Sequence, residues 1–493
     1  MALFGGIALP DRPDPENVRK LDLLAVPMAR DMMRYGLAIN VERAAELSSR
    51  LNKRMSELRR DITDSIPAAA LERFLELSGV DADDDEYSEL EDSQDSPFNP
   101  DSNDKIRRLL YDVLGLHLAV KTKKTKSGKA STGKKTLEQL KREHPVVPLI
   151  LEYRECAKLD GTYAKAMPRR AVRHFAGSDC VLCGRHHYAP HWRVHTQILL
   201  TRTATGRKAF KNPNLGNIPL KTELGREVRA LFEASEGCVI ADADWAQIEL
   251  RLLADRSGDE SMIGVYARDG DIHVATAMDV FGIADPTMVD KLLHRLPCKT
   301  VNFAVVYGLQ APGLLDNMAN TYAIAGLPSP DWLTERWCEQ FIGKWFDARP
   351  GVAKYLEVEE EKIRRYGMAW TRCGRVRRIP NVRSCHRWIQ EAGIREGRNH
   401  GIQGYSADLM NLAMGELDER LHDLRRIGID SWPLMSIYDA LMIETPEEFG
   451  EAVQAVQLEV MESVLDDRRT GERQCLVPVK ADGDLLKVWR KKD

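Results

Sequence analysis

The stretch Val239 to Asp259, VIADADWAQIELRLLADRSGD, narrows the folds open to this chain more than any other. An apolar, β-prone run ends at Asp244, and a helix-prone run carrying Ile248, Leu252 and Leu253 follows. The change of period sets a carboxylate at the end of a strand, just before a helix. Mg²⁺ takes hard oxygen ligands and keeps room for substrate phosphates, so a carboxylate placed there suits it. Alone, the Asp-x-Asp pair Asp242 and Asp244 is a weak signal, and a structural strand-end aspartate explains it more simply.

A second carboxylate gives the first one weight. In PLMSIYDALMIETP, Pro433 to Pro446, Asp439 lies between two β-prone apolar runs, the pattern of a hairpin. Two-metal phosphoryl transfer needs two such acids converging from separate strands, with the ions about 4 Å apart. One sequence does not show that convergence. Between the two acids runs His294 to Gly308, HRLPCKTVNFAVVYG, where Arg295, Lys299, Phe303 and Tyr307 recur at every fourth position. On an α-helix that spacing makes one slowly turning stripe of two cations and two rings, groups that suit the phosphates and base of a nucleotide. An amphipathic helix with a charged end accounts for any one of the four, less well for the set. Pro297 requires the helix to begin near Leu296, because a deeper proline breaks a backbone hydrogen bond.

The remainder supplies scaffold and segregated charge. The 493 residues leave room for two to four packed subdomains, and 43% hydrophobic with 30% charged residues is an ordinary globular balance. No apolar run approaches the ~20 residues needed to cross a bilayer. The N-terminus lacks the basic start of a signal peptide, so a cytoplasmic location is expected. Nine cysteines are too sparse for a disulfide scaffold and are expected to be reduced.

The net charge of −4 is unevenly spread. Residues 81–95, DADDDEYSELEDSQD, read as a solvated acidic linker. Residues 121–135, KTKKTKSGKASTGKK, read as a flexible basic loop whose lysines, Lys126 and Lys129 among them, suit phosphate contacts. A second basic zone, Lys362 to Arg398, interleaves arginines with Tyr366, Trp370 and Trp388 as stacking platforms. Residues 18–64 form a long amphipathic helical stretch, apolar first at Leu23, Val26, Met28, Met32 and Leu37, then at Leu47, Leu51, Met55 and Leu58. His174-x5-Cys180-x2-Cys183-x2-His186 carries the donors of a structural Zn²⁺ knuckle and also reads as a plain surface loop.

The three central segments resemble motifs A, B and C of the family A DNA polymerases, the DNA polymerase I type, in order and spacing. Further matches are Thr205-Gly206-Arg207 followed by Pro213 to Pro219, Gly270 to His273, Gly374-Arg375, and Arg395-x3-Asn399-x3-Gln403-Gly404 with Ala407-Asp408. Phe98-Asn99-Pro100, Thr125 to Thr132 and Glu152-Tyr153-Arg154 resemble the family's thumb, so the likeness runs from about residue 20 to the C-terminus. The resemblance implies an α/β (α+β) right hand. Residues 1–192 would be the thumb and N-terminal segment, holding the acidic loop, the basic loop and a Cys/His insertion at 174–191. Residues 193–260 would be the first part of an antiparallel-sheet palm, 261–404 the helical fingers and 405–493 the second palm part. It further implies a monomeric, phage-like enzyme that adds dNTPs to the 3′-hydroxyl of primer-template DNA and needs no membrane. Only about two hundred residues precede Thr205 and the thumb takes nearly all of them, so neither a 3′–5′ exonuclease nor a 5′ nuclease domain is expected.

Residue by residue, the family implies two Mg²⁺ ions on Asp244 and Asp439, and Arg295, Lys299 and His273 on the triphosphate, with Lys299 or His273 donating a proton to the leaving group. Phe303 and Tyr307 would form the floor for the new base pair, with Gln247 in the nucleotide site. Glu249 would fill the space of a ribose 2′-hydroxyl. Arg207, Asn399 and Gln403 would read the minor-groove edge of the nascent pair, and Asn214, Asn217, Arg395 and Tyr438 would touch DNA. Two departures stand out. Motif C reads Tyr438-Asp439-Ala440 where His-Asp-Glu is usual, altering the primer-end contacts, and motif A reads Asp244-Trp245-Ala246-Gln247 where Asp-Tyr-Ser-Gln is usual, a bulkier ring beside the metal site. Two rival readings are a single-subunit RNA polymerase and a catalytically inert primer-template scaffold.

Overall fold

A computed structural model describes residues 3–78, 99–116, 128–175, 180, 191–219, 222–324 and 327–490. The acidic stretch 81–95 and Lys126 lie outside these residues.

The first helical stretch is broken where the sequence reads as continuous. Asp14 caps α1 (Pro15–Leu24) by accepting the Asn17 amide, and α2 (Val26–Tyr35) ends at Gly36 with φ 71°. A Cβ at Gly36 would sit 2.8 Å from the Val194 carbonyl oxygen, so only glycine fits that approach. The short strand β1 (Leu37–Ala38) follows, and then α3 (Val41–Asp64), capped by Asn40. Helices α1 and α2 therefore leave α3 and pack on the C-terminal half of the chain instead. Helix α3 lies on α4 (Val146–Leu159) through Leu47, Leu51, Leu58 and Ile62, with Met55 half-buried beside them. Strands β1, β2 (Val172–His174) and β3 (His191–Val194) form a small antiparallel sheet with β3 in the centre.

The second sheet positions the chemistry. Its strands are β4 (Cys238–Trp245), β5 (Trp432–Ile437), β6 (Ala440–Pro446) and β7 (Ala481–Leu486), in the order β7-β4-β6-β5, all antiparallel. Pro433 sits on the edge strand β5, where a missing N–H costs no ladder bond to a neighbour. Side chains alternate across β4. Ile240 joins the core shared with α3 and α4, whereas Ala241, Ala243 and Trp245 join the larger core beneath the sheet. By that alternation Asp242 and Asp244 share the face of Ile240.

Helices assemble the rest. They include α5 (Ile248–Ser257), α6 (Ile272–Phe281), α7 (Leu296–Val306), α8 (Pro350–Tyr366), α9 (Arg387–Asn399), α10 (Tyr405–Arg426) and α11 (Gly450–Glu462). A π-turn at Lys291–Arg295 precedes α7, which starts at Leu296 with Pro297 in its first turn, where its missing N–H costs nothing. A second π-turn, His400–Gly404, joins α9 to α10. Among the described residues no helix is long and apolar enough to cross a membrane.

Candidate active site

Register brings the two aspartates together. Ala440 on β6 pairs with Asp244 on β4, and the Trp245 amide donates to the Asp439 carbonyl oxygen at 3.2 Å. Ile437 pairs with Ala440, so Tyr438 and Asp439 form a two-residue hairpin loop. Tyr438 holds φ 55°, a conformation that costs a bulky residue about 1 kcal/mol or more. Gln247 does the same at φ 57°, turning the chain from β4 into α5. Burial, and then the nearby charge of Asp244, push the Asp439 carboxyl up to about 7. Two hard carboxylates whose negative charges oppose each other are the donor set a divalent cation would relieve, so these residues fit Mg²⁺.

Both aspartates line a cavity of about 990 Å³ together with Lys158, Tyr163 and Arg170 from the N-terminal helical layer, and with Asn214, Asn217 and Tyr438. Tyr163 donates to the Asn217 carbonyl oxygen and ties the two walls. Arg229, which the sequence motifs did not single out, lies close enough to Asp242 and Asp244 for their charges to oppose the lowering of its pKa by burial, and its guanidinium covers Trp489 at 4.4 Å. Asp482 pairs with Asp244 on the opposite side of β4 from Ala440, a juxtaposition only register reveals.

Glu249 is clamped. Glu249 on α5 accepts from Arg207 and from the Tyr307 hydroxyl, and the Arg207 guanidinium stands 5.3 Å from the Tyr438 ring. A row therefore runs from Tyr438 through Arg207 and Glu249 to Tyr307. The turn carrying Arg207 rests on Arg375, which bridges Asp22 and Asp408. A Cβ on Gly206 would lie 2.8 Å from the Arg375 Nε, which is why glycine occupies that turn.

The cationic group is also assembled. Arg295 pairs with Asp271, which caps α6 by accepting the His273 and Val274 amides. Asn302 fixes the His273 tautomer. Its oxygen accepts from Thr276 and from the Trp345 ring N–H, so its amide nitrogen donates to the His273 Nδ1 at 2.9 Å, leaving the ring proton on Nε2. Burial, opposed by Asp271 and helped by Arg295 and Lys299, brings His273 down to about 4. Arg295 lies in the π-turn rather than on α7, so the four-residue stripe crosses a break in helix geometry after its first member. Phe303 lies on α7, and its side chain is outside the described residues.

The remaining sequence candidates divide. Gln247 spends its amide oxygen on the Tyr266 hydroxyl at 3.3 Å. Arg395 lies against Gly308, just past Tyr307, where a Cβ would stand 2.9 Å from its Cγ. Asn399 closes α9 and Gln403 occupies the π-turn after it. Lys129 pairs with Asp104 at 3.1 Å. Trp245 is a correction: it faces away from Asp244, is 2% exposed, and donates to the Met461 carbonyl oxygen beneath the sheet. The zinc reading is not supported either. His174 is buried, with Nδ1 3.4 Å from the Cys180 sulfur and Nε2 3.2 Å from the His195 Nε2, so its two nitrogens face different partners. Cys183 and His186 lie outside the described residues, among which no group of three or more donors gathers as a metal site.

Comparison with known proteins places this geometry. The family model described as DNA polymerase family A matches residues 80–491. DNA polymerase I of Chloroflexus aurantiacus is 32% identical over 471 residues, 95% of this chain and 43% of that protein. The thermostable DNA polymerase I of Thermus filiformis is 39% identical over 367 residues, 74% of this chain and 40% of that protein. The chain thus spans about two fifths of the length of these curated relatives. Among solved structures, the POL domain of Pol1 from M. smegmatis, in complex with DNA primer-template and dNTP, superposes with a TM-score of 0.72 at 25% identity, covering 96% of this chain and 72% of that one.

Proposed function

This chain belongs to DNA polymerase family A, and on that premise we propose that it extends the 3′-hydroxyl of a DNA primer with dNTPs on a DNA template. The observation that carries the reading is that the Ala440–Asp244 register brings Asp244 and Asp439 together in the lining of one cavity that residues of the N-terminal helices share. We assign residues 1–192 to a thumb and N-terminal segment, 193–260 and 405–493 to the palm, and 261–404 to the fingers. Within the first of these, α1 and α2 serve the palm.

Asp244 and Asp439 would hold two Mg²⁺ ions, which when bound neutralise charge on the triphosphate and help ionise the primer hydroxyl. Arg295 and Lys299 bind the phosphates. His273 stays neutral at working pH and offers its Nε2 proton as a hydrogen bond, which leaves Lys299 as the group able to protonate the departing pyrophosphate. Glu249, held from both sides by Arg207 and Tyr307, is rigid enough to exclude a 2′-hydroxyl. Arg207, Asn399 and Gln403 meet the minor-groove edge, and the Tyr438 ring replaces a hydrogen-bonding histidine at the primer end. Extension of a labelled primer with Mg²⁺ and dNTPs tests the reading. Activity lost in both Asp244→Ala and Asp439→Ala supports it, and activity retained in either overturns it.

A further inference from the structure

Lys208 follows Arg207 in the chain, and its Nζ is buried with no hydrogen-bond partner among the described residues. The charged groups that face it are Asp22 from α1, Asp408 from α10 and Arg375 from the turn 371–375. Both carboxylates are already engaged. Asp408 accepts from the Arg375 Nε and from the Thr371 hydroxyl, each at 2.5 Å. Asp22 accepts from the Arg375 guanidinium at 2.5 and 3.2 Å and from the Asn411 amide at 2.9 Å. The guanidinium has taken the acceptors and the amine is left out. Burial, helped by Arg375 and opposed by Asp22 and Asp408, brings Lys208 down to about 7.

The same arginine supports the turn that carries Arg207, because a Cβ on Gly206 would stand 2.8 Å from its Nε. Arg207 in turn holds Glu249, which Tyr307 holds from the other side. Lys208 is therefore one residue from the clamp on Glu249 and lies against its foundation. An ammonium there needs an acceptor, and the carboxylate oxygens of Asp22 and Asp408 are those that face it. Arg375 would have to give one up.

We propose that Lys208 is a positioning residue whose charge sets the choice of sugar: uncharged, it leaves Arg375 on both carboxylates and the clamp rigid, and protonated, it draws a carboxylate from Arg375, loosens the Arg207 turn and lets Glu249 yield to a ribose 2′-hydroxyl. The proposal rests on the polymerase reading above. No proton or phosphoryl transfer passes through Lys208, so its charge acts on selection rather than on chemistry.

The test is competitive incorporation of a dNTP and the ribonucleotide of the same base between pH 6 and pH 8.5, read as a ratio. Asp439 titrates in this range too, but it serves both sugars alike and cancels. The wild type is expected to lose about threefold or more of its dNTP preference at pH 6. Lys208→Met is expected to keep the full preference at every pH, and Lys208→Arg, charged throughout, to show the weaker one at every pH. Folding is read separately. The folded pKa of Lys208 lies below the usual lysine value of about 10.4, so the unfolded chain binds a proton that the folded one lacks in between, and stability rises with pH through that window. The gain of Lys208→Met in urea midpoint is therefore expected to be largest at pH 6 and to vanish toward pH 10. A wild-type ratio that stays flat overturns the proposal, as does a slope that survives in Lys208→Met or a Lys208→Met no more stable than the wild type at pH 6. A wild type that extends with no dNTP overturns the polymerase reading instead, and is distinguishable from an active enzyme whose ratio is flat.

Discussion

Replacing Arg193 with methionine is expected to destabilise the protein more than any surface change. Arg193 and Glu444 are both fully buried and pair at 3.1 Å, joining the small β1–β3 sheet to β6 of the four-stranded sheet. The guanidinium also donates to the Ser235 hydroxyl at 2.8 Å and the Gly36 carbonyl oxygen at 3.0 Å, and covers the Tyr35 ring at 3.6 Å. Arg193→Met removes these hydrogen bonds and the ion pair, while Glu444 keeps the Tyr35 hydroxyl and the Ser235 amide and hydroxyl as neutral donors. Breaking a buried ion pair by removing one partner costs about 3–5 kcal/mol, the lost hydrogen bonds included. Methionine replaces the arginine stem in volume, so packing loss is a minor part. Urea unfolding monitored by circular dichroism reads the loss as a lower midpoint at unchanged slope. The double variant Arg193→Met/Glu444→Leu should recover part of it, since no lone charge is then buried. A loss under about 1 kcal/mol for Arg193→Met, or a double variant as unstable as the sum of the singles, would refute the reasoning.

Asp439 gives a pH-dependent expectation. Burial pushes its carboxyl up to about 7, above the ordinary aspartate value of about 4, so the folded state holds more protons in between, and metal-free stability falls as pH rises through that window. Asp439→Asn should therefore exceed the wild type in unfolding free energy from urea titration at pH 8 with a chelator present, by up to about 4 kcal/mol, and lose most of the difference at pH 4. Glu249→Ala should lower the preference for dNTPs over ribonucleotides by about tenfold or more in competitive incorporation; an unchanged ratio would sink the gate assignment. Tyr438→Gly relieves the left-handed φ but removes the ring near Arg207, so a melting temperature equal to or above wild type should accompany a several-fold slower first addition.

The positions of Asp244 and Asp439 at strand ends were legible because each depends on a local change of period, strand to helix at Asp244 and strand to strand at Asp439. The helix start at Leu296 was legible from Pro297 itself, which has no N–H to donate deeper in a helix. Trp245 was misplaced by treating its position beside Asp244 in sequence as nearness in space, although adjacent strand residues face opposite ways. The cluster of Tyr35, Arg193 and Glu444 joins segments more than 150 residues apart, and no local pattern encodes it. Arg229 and Asp482 escaped likewise, one placed by a helix packed over the sheet and the other by register across β4. The break at Gly36 escaped because apolar periodicity continued through it, and the constraint comes from the approach of Val194.

The bridge of Arg375 to Asp22 and Asp408 bears on where this chain tolerates being cut. Asp22 also accepts from the Asn411 amide, so one carboxylate of α1 ties down both the arginine beneath the Arg207 turn and the long helix α10. A fragment trimmed to the start of α3 would keep every motif residue and lose that carboxylate, leaving the Arg375 guanidinium half-answered under the active site. The serviceable boundary for expression, circular permutation or fusion therefore lies ahead of Leu3, because Leu3 and Ile7 are buried in the larger core before Asp14 caps α1.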